Sequence, residues 1–352
     1  MSTPGNILVI RLSSLGDVLM CMPAVKAIRD RFPDAGITWL VEGPVGELLS
    51  FQTFIDKVMQ FPRGRLQNGL KAGDLPGAAR EIKGFLARLR KDHYDCIVDF
   101  HGIIKSAFIS ACARGGRKVG FDAMHAKEQS HLFYGECVPG TDRRMHKVEK
   151  NMLVARYLGA GDAVPEVLLK VPDDIKRYVD NFFHHAGIQP PVFAINPFSS
   201  KGTDFKRWPI ERYAQLIGRV RERMGAHALI LWGPGEKKEA ERLQAMAGEG
   251  AFLACPTNIP QLYAMLEKVD MYIGGDTGVM HLASAAKIPV VAIFGPTDVK
   301  INAPYGLNNV IVRKEVSCSP CKKKDCRERT CIESISVDDV FEAVKRMSDK
   351  TG

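Results

Sequence analysis

Long apolar runs are missing from this 352-residue chain. Nowhere do about 18 consecutive apolar residues occur, so no membrane-spanning helix is expected. Residues 1–5 lack the basic segment and small-residue cleavage site of a signal peptide, and a strand-like run starts almost at once, which points to a cytoplasmic protein. Short repeats and low-complexity tracts are also absent, excluding fibrous and disordered classes. Acidic residues are outnumbered: 40 Asp and Glu stand against 49 Lys and Arg, and the net +9 favours an anionic partner such as a nucleotide, a phosphorylated lipid, nucleic acid or an acidic membrane face. Cysteine is odd in number, at nine. Cys21, Cys96, Cys112, Cys137 and Cys255 are scattered among apolar residues, as buried free thiols of a reducing compartment would be.

What is present is an ordinary globular balance, 45% hydrophobic and 25% charged, at a length suited to about two domains. Short β-branched runs alternate with segments of helical period, the mark of a parallel sheet wound with helices. The first half has strand candidates at 7–10, 37–41, 57–61 and 96–99. Between the first two, Val18, Met22, Val25, Ile28 and Phe32 line one helical face, with Pro23 expected to kink or split the helix. The second half repeats the rhythm at 192–196, 228–232, 271–274 and 290–294, with helices near 210–224 and 236–247. Glycines and prolines from Gly159 to Pro191 punctuate the middle around a helix at 173–187. The expected division is therefore 1–172 and 173–335, with a terminal amphipathic helix from 336 onward. Two such α/β halves facing one another form a ligand cleft, and open sheets bind ligands at the carboxyl ends of their strands.

Four strand-to-helix turns carry candidate chemistry. In Arg11-Leu12-Ser13-Ser14-Leu15-Gly16-Asp17, Asp17 stands either as a helix cap or as a carboxylate aimed into the cleft. Gly274-Gly275-Asp276-Thr277-Gly278-Val279-Met280-His281 leads into a helix of small residues. Glycines there let a ligand approach the backbone, and a helix start favours phosphate; the competing reading is a glycine-rich turn capped by Asp276. Asn196-Pro197-Phe198-Ser199-Ser200, followed by Lys206-Arg207-Trp208-Pro209, can hold a diphosphate through hydroxyls and a cation, unless Lys206 and Arg207 are solvated loop charges. In Trp232-Gly233-Pro234-Gly235-Glu236, Glu236 can accept hydrogen bonds from ribose hydroxyls.

Together these segments resemble the lipopolysaccharide core heptosyltransferases, glycosyltransferases of the two-Rossmann-domain GT-B fold. The resemblance lies in SSLGDVLMCMPAV (13–25), KRWP (206–209), WGPGE (232–236), GGDTGVMHLASA (274–285) and FGPTD (294–298), and runs over essentially the whole chain. DFHGIIKSA (99–107), SHLFY (130–134) and HKVEKN (146–151) resemble the branch that adds the first heptose to the Kdo sugar of lipid A, whereas CSPCKKKDC (318–326) is more similar to the branch that adds the second. The resemblance implies inverting transfer from ADP-heptose to a sugar hydroxyl. It makes Asp17 the catalytic base, Lys206 the diphosphate contact and Glu236 the ribose acid, with Asp276, Thr277, Gly278 and His281 in the donor-binding segment. Ser199 and Ser200 stand where relatives have threonines. With a cation placed for the leaving group, no cofactor and no essential metal are expected. The terminal helix is expected to cross back to the first domain, as in other GT-B proteins.

An acceptor carrying carboxylates and phosphates would find Arg63, Arg65, Lys105 and His146 in the first half, and a basic surface would hold the enzyme at an anionic leaflet. Cys318, Cys321, Cys326 and Cys331 are close enough in sequence for a zinc site, although Lys322 to Lys324 and Arg327 to Arg329 among them equally suit an exposed basic loop. A nucleic-acid-binding module is the reading from another class. It is disfavoured because the basic residues are dispersed and the glycine turns suit a mononucleotide.

Overall fold

The structure is a computed structural model that describes residues 3–321, 323 and 325–351. The chain divides into two units, Met1–Lys170 and Val171–Gly352, two residues earlier than the expected 172/173 break. Gln52 secures the end of the first unit: its side-chain amide donates to the Lys170 carbonyl at 3.0 Å and accepts from the Lys170 N–H at 3.0 Å.

The first unit contains β1 (Asn6–Ile10), β2 (Gly36–Val41), β3 (Lys57–Gln60), β4 (Tyr94–Asp99), β5 (Gly115–Phe121) and β6 (Glu136–Val138). They form one sheet in the order β3-β2-β1-β4-β5-β6 with every neighbour parallel. The second unit contains β7 (Val192–Asn196), β8 (His227–Ile230), β9 (Ala251–Leu253), β10 (Met271–Gly275), β11 (Val290–Ile293) and β12 (Asn309–Val312). Its order, β12-β11-β10-β7-β8-β9, is again wholly parallel and has the same topology. Both are the doubly wound arrangement in which the winding reverses beside the first strand. The switch points lie between β1 and β4 in one unit and between β7 and β10 in the other.

The central strands read clearly because both faces are covered, so nearly every residue is apolar: Ile7 to Ile10 and Ala194 to Ile195 are fully buried. The outer strands β5, β6, β9 and β12 were not expected. β5 is rich in glycine and charge, and β6 and β9 are only three residues long. At Gly115 the reason is steric, since a Cβ there would lie 2.1 Å from the Tyr94 carbonyl oxygen. Pro23 divides its helix as expected, into Leu15–Leu19 and Met22–Arg31, with the proline in the first turn of the second piece.

The terminal helix Val337–Thr351, expected to cross back to the first domain, belongs to the core of the second unit. It packs on the helix Ile210–Met224 and on β11 and β12. Val340, Phe341, Val344 and Met347 are buried beside Leu216, Ile217 and Val220, each contributing roughly 1.5–3 kcal/mol of apolar burial. Trp208 fixes the approach to that helix by donating from Nε1 to the Ile335 carbonyl at 2.8 Å. Among the described residues no helix is long and apolar enough to cross a membrane.

Candidate active site

The turn after β1 places Asp17 at the first unit's switch point. Ser14 starts the helix Leu15–Leu19, and its N–H and Oγ donate to Asp17 Oδ2 at 3.3 and 3.1 Å, so Asp17 does act as a cap. The same carboxylate also pairs with Arg11 Nη2 at 3.1 Å and Lys147 Nζ at 2.7 Å. Burial by itself would raise its pKa, but the charges of Arg11 and Lys147 outweigh that effect and hold the carboxyl well below the usual carboxylate range. Arg11 is buried and donates from Nη1 to the Phe100 carbonyl at 2.7 Å, tying the end of β1 to the end of β4. Lys150 stands on the same helix as Lys147, with Nζ 4.5 Å from the centre of the Phe121 ring. Burial, then repulsion from Arg11 and Lys147, brings its pKa down to about 8.

The end of β4 supplies a second group. Asp99 is fully buried and accepts from the His101 N–H at 2.8 Å, the Gly102 N–H at 3.2 Å and the Tyr134 hydroxyl at 2.8 Å. This arrangement shapes the turn that presents His101, whose Nδ1 accepts from the Leu12 N–H at 3.2 Å. With Nδ1 so used, the neutral ring carries its proton on Nε2, and desolvation pushes its pKa down to about 3.

Glu42, just after β2, joins two of the expected acceptor cations. Its side chain is 3% exposed, and it meets Arg63 at 2.8 Å and Lys105 at 2.9 Å. Desolvation works against its charge, but hydrogen bonds and charge from Lys105, with help from Ser13 and Arg63, lower its pKa. Glu42, Arg63 and Lys105 line a cavity of about 460 Å³ with Ser13, Phe61 and His101. Arg65 points elsewhere, to Glu81 at 3.3 Å. His146 caps the helix Lys147–Tyr157 by accepting from the Val148 N–H at 3.2 Å, and so orients the helix that bears Lys147 and Lys150.

In the second unit the donor-side candidates cluster at the ends of β7 and β10. Thr277 caps the helix Gly278–Ala285, accepting from the Met280 N–H at 3.4 Å and from Asn196 Nδ2 at 3.1 Å. Asn196 also donates to the Tyr272 hydroxyl at 3.0 Å. Gly274 permits this close pairing, because a Cβ there would sit 2.5 Å from the Tyr272 hydroxyl and 2.8 Å from the Asn196 carbonyl. His281 is buried one turn into the helix. Lys206 donates to the Asp276 carbonyl at 2.5 Å and lies 3.5 Å from its carboxylate.

Arg207, which sequence reasoning left as a possible solvated charge, is a hub. It donates to Ser199 Oγ at 3.0 Å and to the Ser199 carbonyl at 2.6 Å, and pairs with Asp204 at 3.0 Å and with Glu236 at 3.4 Å. Glu236 also accepts from the Gly233 N–H at 2.8 Å. Burial raises its pKa, with Gly233 and Arg207 opposing. Ser200 is exposed, and its carbonyl accepts from the Thr203 hydroxyl at 2.6 Å. Arg11, Glu42, Lys150 and Arg207 were thus not foreseen in these roles. Arg11, Lys150 and Arg207 lie within quoted motifs, whereas Glu42 lies in none.

All nine cysteines are free, and among the described residues no group of three or more His, Cys, Asp or Glu could hold a metal ion. Cys331 is buried in the short helix Thr330–Glu333 and Cys318 is exposed, and burial, then the charges of Cys321, Cys318 and Cys326, push the Cys331 thiol up. Lys322 and Lys324 lie outside the described residues.

The profile of glycosyltransferase family 9 (heptosyltransferase) matches residues 83–332. The chain belongs to that family. This family 9 glycosyltransferase is 28% identical over 326 residues to lipopolysaccharide heptosyltransferase 1 of Escherichia coli (strain K12), covering 88% of this chain and 93% of that relative. Its fold is that of solved GT-B heptosyltransferases. The structure of E. coli heptosyltransferase WaaC with ADP aligns with a TM-score of 0.77 at 23% identity over 97% of this chain and 99% of that one. The same enzyme with ADP-2-deoxy-2-fluoro heptose aligns with a TM-score of 0.75 at 24% identity over 99% and 100%.

Proposed function

We propose that this glycosyltransferase moves L-glycero-D-manno-heptose from ADP-heptose, with inversion, to a Kdo sugar of lipid A during lipopolysaccharide core synthesis. The observation that carries the reading is Asp17, a carboxylate after β1 kept ionised at rest by Arg11 and Lys147, with the cationic cavity of Arg63 and Lys105 in the same unit. The names of the E. coli relatives support the donor and the sugar transferred.

In this mechanism Asp17 removes the proton of the acceptor hydroxyl as its oxygen bonds to the anomeric carbon and the bond to the ADP oxygen breaks. Arg11 and Lys147 lower the basicity of Asp17, so proton transfer comes late, when the new bond has already made the hydroxyl proton acidic. Arg63 and Lys105 meet the acceptor carboxylate, with Glu42 holding both cations in place. In the second unit Lys206 and the start of the helix Gly278–Ala285 stabilise the departing diphosphate, Ser199 and Ser200 add hydroxyl contacts, and Glu236 receives the ribose. Asp276 and His281 shape that segment. The positive charge at the leaving group comes from Lys206, so transfer persists in EDTA. The +9 charge suits work at the cytoplasmic face of an anionic membrane.

The test is mass spectrometry of the product formed from ADP-heptose and Kdo-lipid A, with NMR of the new anomeric centre. Addition of one heptose with the anomeric configuration opposite to that of the donor bears the proposal out. Transfer only to an acceptor that already carries a heptose reassigns the enzyme to the second step.

A further inference from the structure

We propose that the groove between the helices Arg63–Lys71 and Leu75–Leu89 is a membrane-docking surface that takes acyl chains of an anionic bilayer. The proposal rests on the reading of a lipid-linked acceptor and locates where the lipid is met.

The helix Arg63–Lys71 has no buried residue, although Leu66 and Leu70 give it an apolar side. The helix Leu75–Leu89 is amphipathic in a different sense: Phe85 and Leu89 enter the core beside Leu8 and Ile97, while Leu75 and Ile82 stay outside it. Between the two helices lies an open apolar groove of about 740 Å³, lined largely by leucine, isoleucine and alanine with Lys83 and Arg90 at its charged positions. Leu70, Leu75 and Ile82 are 56%, 65% and 39% exposed. Scattered exposed leucines are ordinary, but several around one groove mark an interaction site.

Charge selects the occupant. Residues 63–91 contain eight Lys and Arg against two Asp and Glu, and both acids are engaged: Asp74 caps the Gly77 N–H at 2.8 Å, and Glu81 pairs with Arg65 at 3.3 Å. A second copy of the chain would bring the same basic excess against itself. An anionic headgroup layer instead complements it, and long Lys and Arg stems can lie along acyl chains while their charges reach the phosphates.

The groove also adjoins the proposed acceptor cavity, since Leu66 lines both. Acyl chains seated between the helices would therefore lie beside the cavity that holds Arg63 and Lys105.

Sedimentation of the full-length protein with vesicles of phosphatidylglycerol in phosphatidylcholine, against phosphatidylcholine alone, tests the surface. Binding is expected only to the anionic vesicles and is expected to weaken with salt. Leu70→Glu and Leu75→Glu are each expected to reduce partitioning by about tenfold. Their melting temperatures and their transfer to a soluble, deacylated acceptor should stay at the wild-type level while transfer to vesicle-borne acceptor falls. Vesicle binding by both variants equal to wild type overturns the proposal. So does a wild-type dimer that the same variants dissociate, which would make the groove a contact between copies. Sedimentation needs no turnover, so failure to transfer heptose to any acceptor would defeat the proposed function while the docking result is read independently.

Discussion

Asp17 and Thr277 occupy comparable places, each in the turn after a strand that borders its unit's switch point, yet they are held by different forces. Asp17 lies between two cations, Arg11 and Lys147, with a third, Lys150, close enough to feel their charge. Thr277 is held by neutral partners, Asn196 and the backbone of its own helix, over a glycine that admits no side chain. The same strand order thus supports an electrostatic half-site in one unit and a close-packed, hydrogen-bonded one in the other. Under the proposed function, replacing a charge in the first is expected to change protonation and rate, and adding bulk in the second to disturb geometry and nucleotide binding.

The sharpest way to break this contrast is Asp17→Ala, expected to lower kcat by about 10²–10⁴, the range for loss of a general base, while calorimetry shows ADP binding unchanged. Equal loss of ADP affinity would erase the division between the units. Gly274→Ala tests the packed half: its methyl group meets the Asn196 carbonyl as well as the Tyr272 hydroxyl, and a destabilisation on the order of 1–3 kcal/mol should appear as a lowered melting temperature. Lys206→Ala should weaken ADP binding by about tenfold or more, as expected for a charge-assisted contact, with little change in melting temperature.

The smallest effect concerns Lys150. Its folded pKa of about 8 lies below the model-peptide value of 10.5, so its protonation opposes folding. The resulting stability is full above the unfolded pKa and is lost as pH falls through the folded one, which means that the penalty is complete below about pH 8. Lys150→Met should therefore stabilise the chain at pH 7 by on the order of 1–2 kcal/mol, and the gain should shrink toward pH 10. Denaturant midpoints at the two pH values measure it. An equal gain at both would show that charge in this half-site matters less than packing.

The central strands were legible because a parallel strand covered on both faces must be apolar throughout, and the helix-start motifs were legible because tight turns need glycine, serine and aspartate in sequence. β5 and β6 were not, since Gly115 is chosen by nearness to Tyr94 rather than by hydrophobicity, and three-residue β6 has no period to detect. Among the candidate site residues, Asp17, Lys206 and Thr277 could be picked out from their motifs. Glu42 could not, because its meaning comes from Lys105, 63 positions away, and from Arg63. The terminal helix showed its amphipathic face clearly, but periodicity does not say which core will cover that face.

The amino-acid order alone determined where the central strands of the two sheets would form and which strand-to-helix turns bring glycine, hydroxyl and carboxylate groups together, because those features depend on neighbours within a few residues. Tertiary structure decided which cations neutralise Asp17, that Glu42 joins Arg63 and Lys105, that Arg207 organises the Ser199 loop, and that the last helix completes the second core. Those outcomes depend on distances between residues far apart in the chain, and only the folded sheets bring them within range.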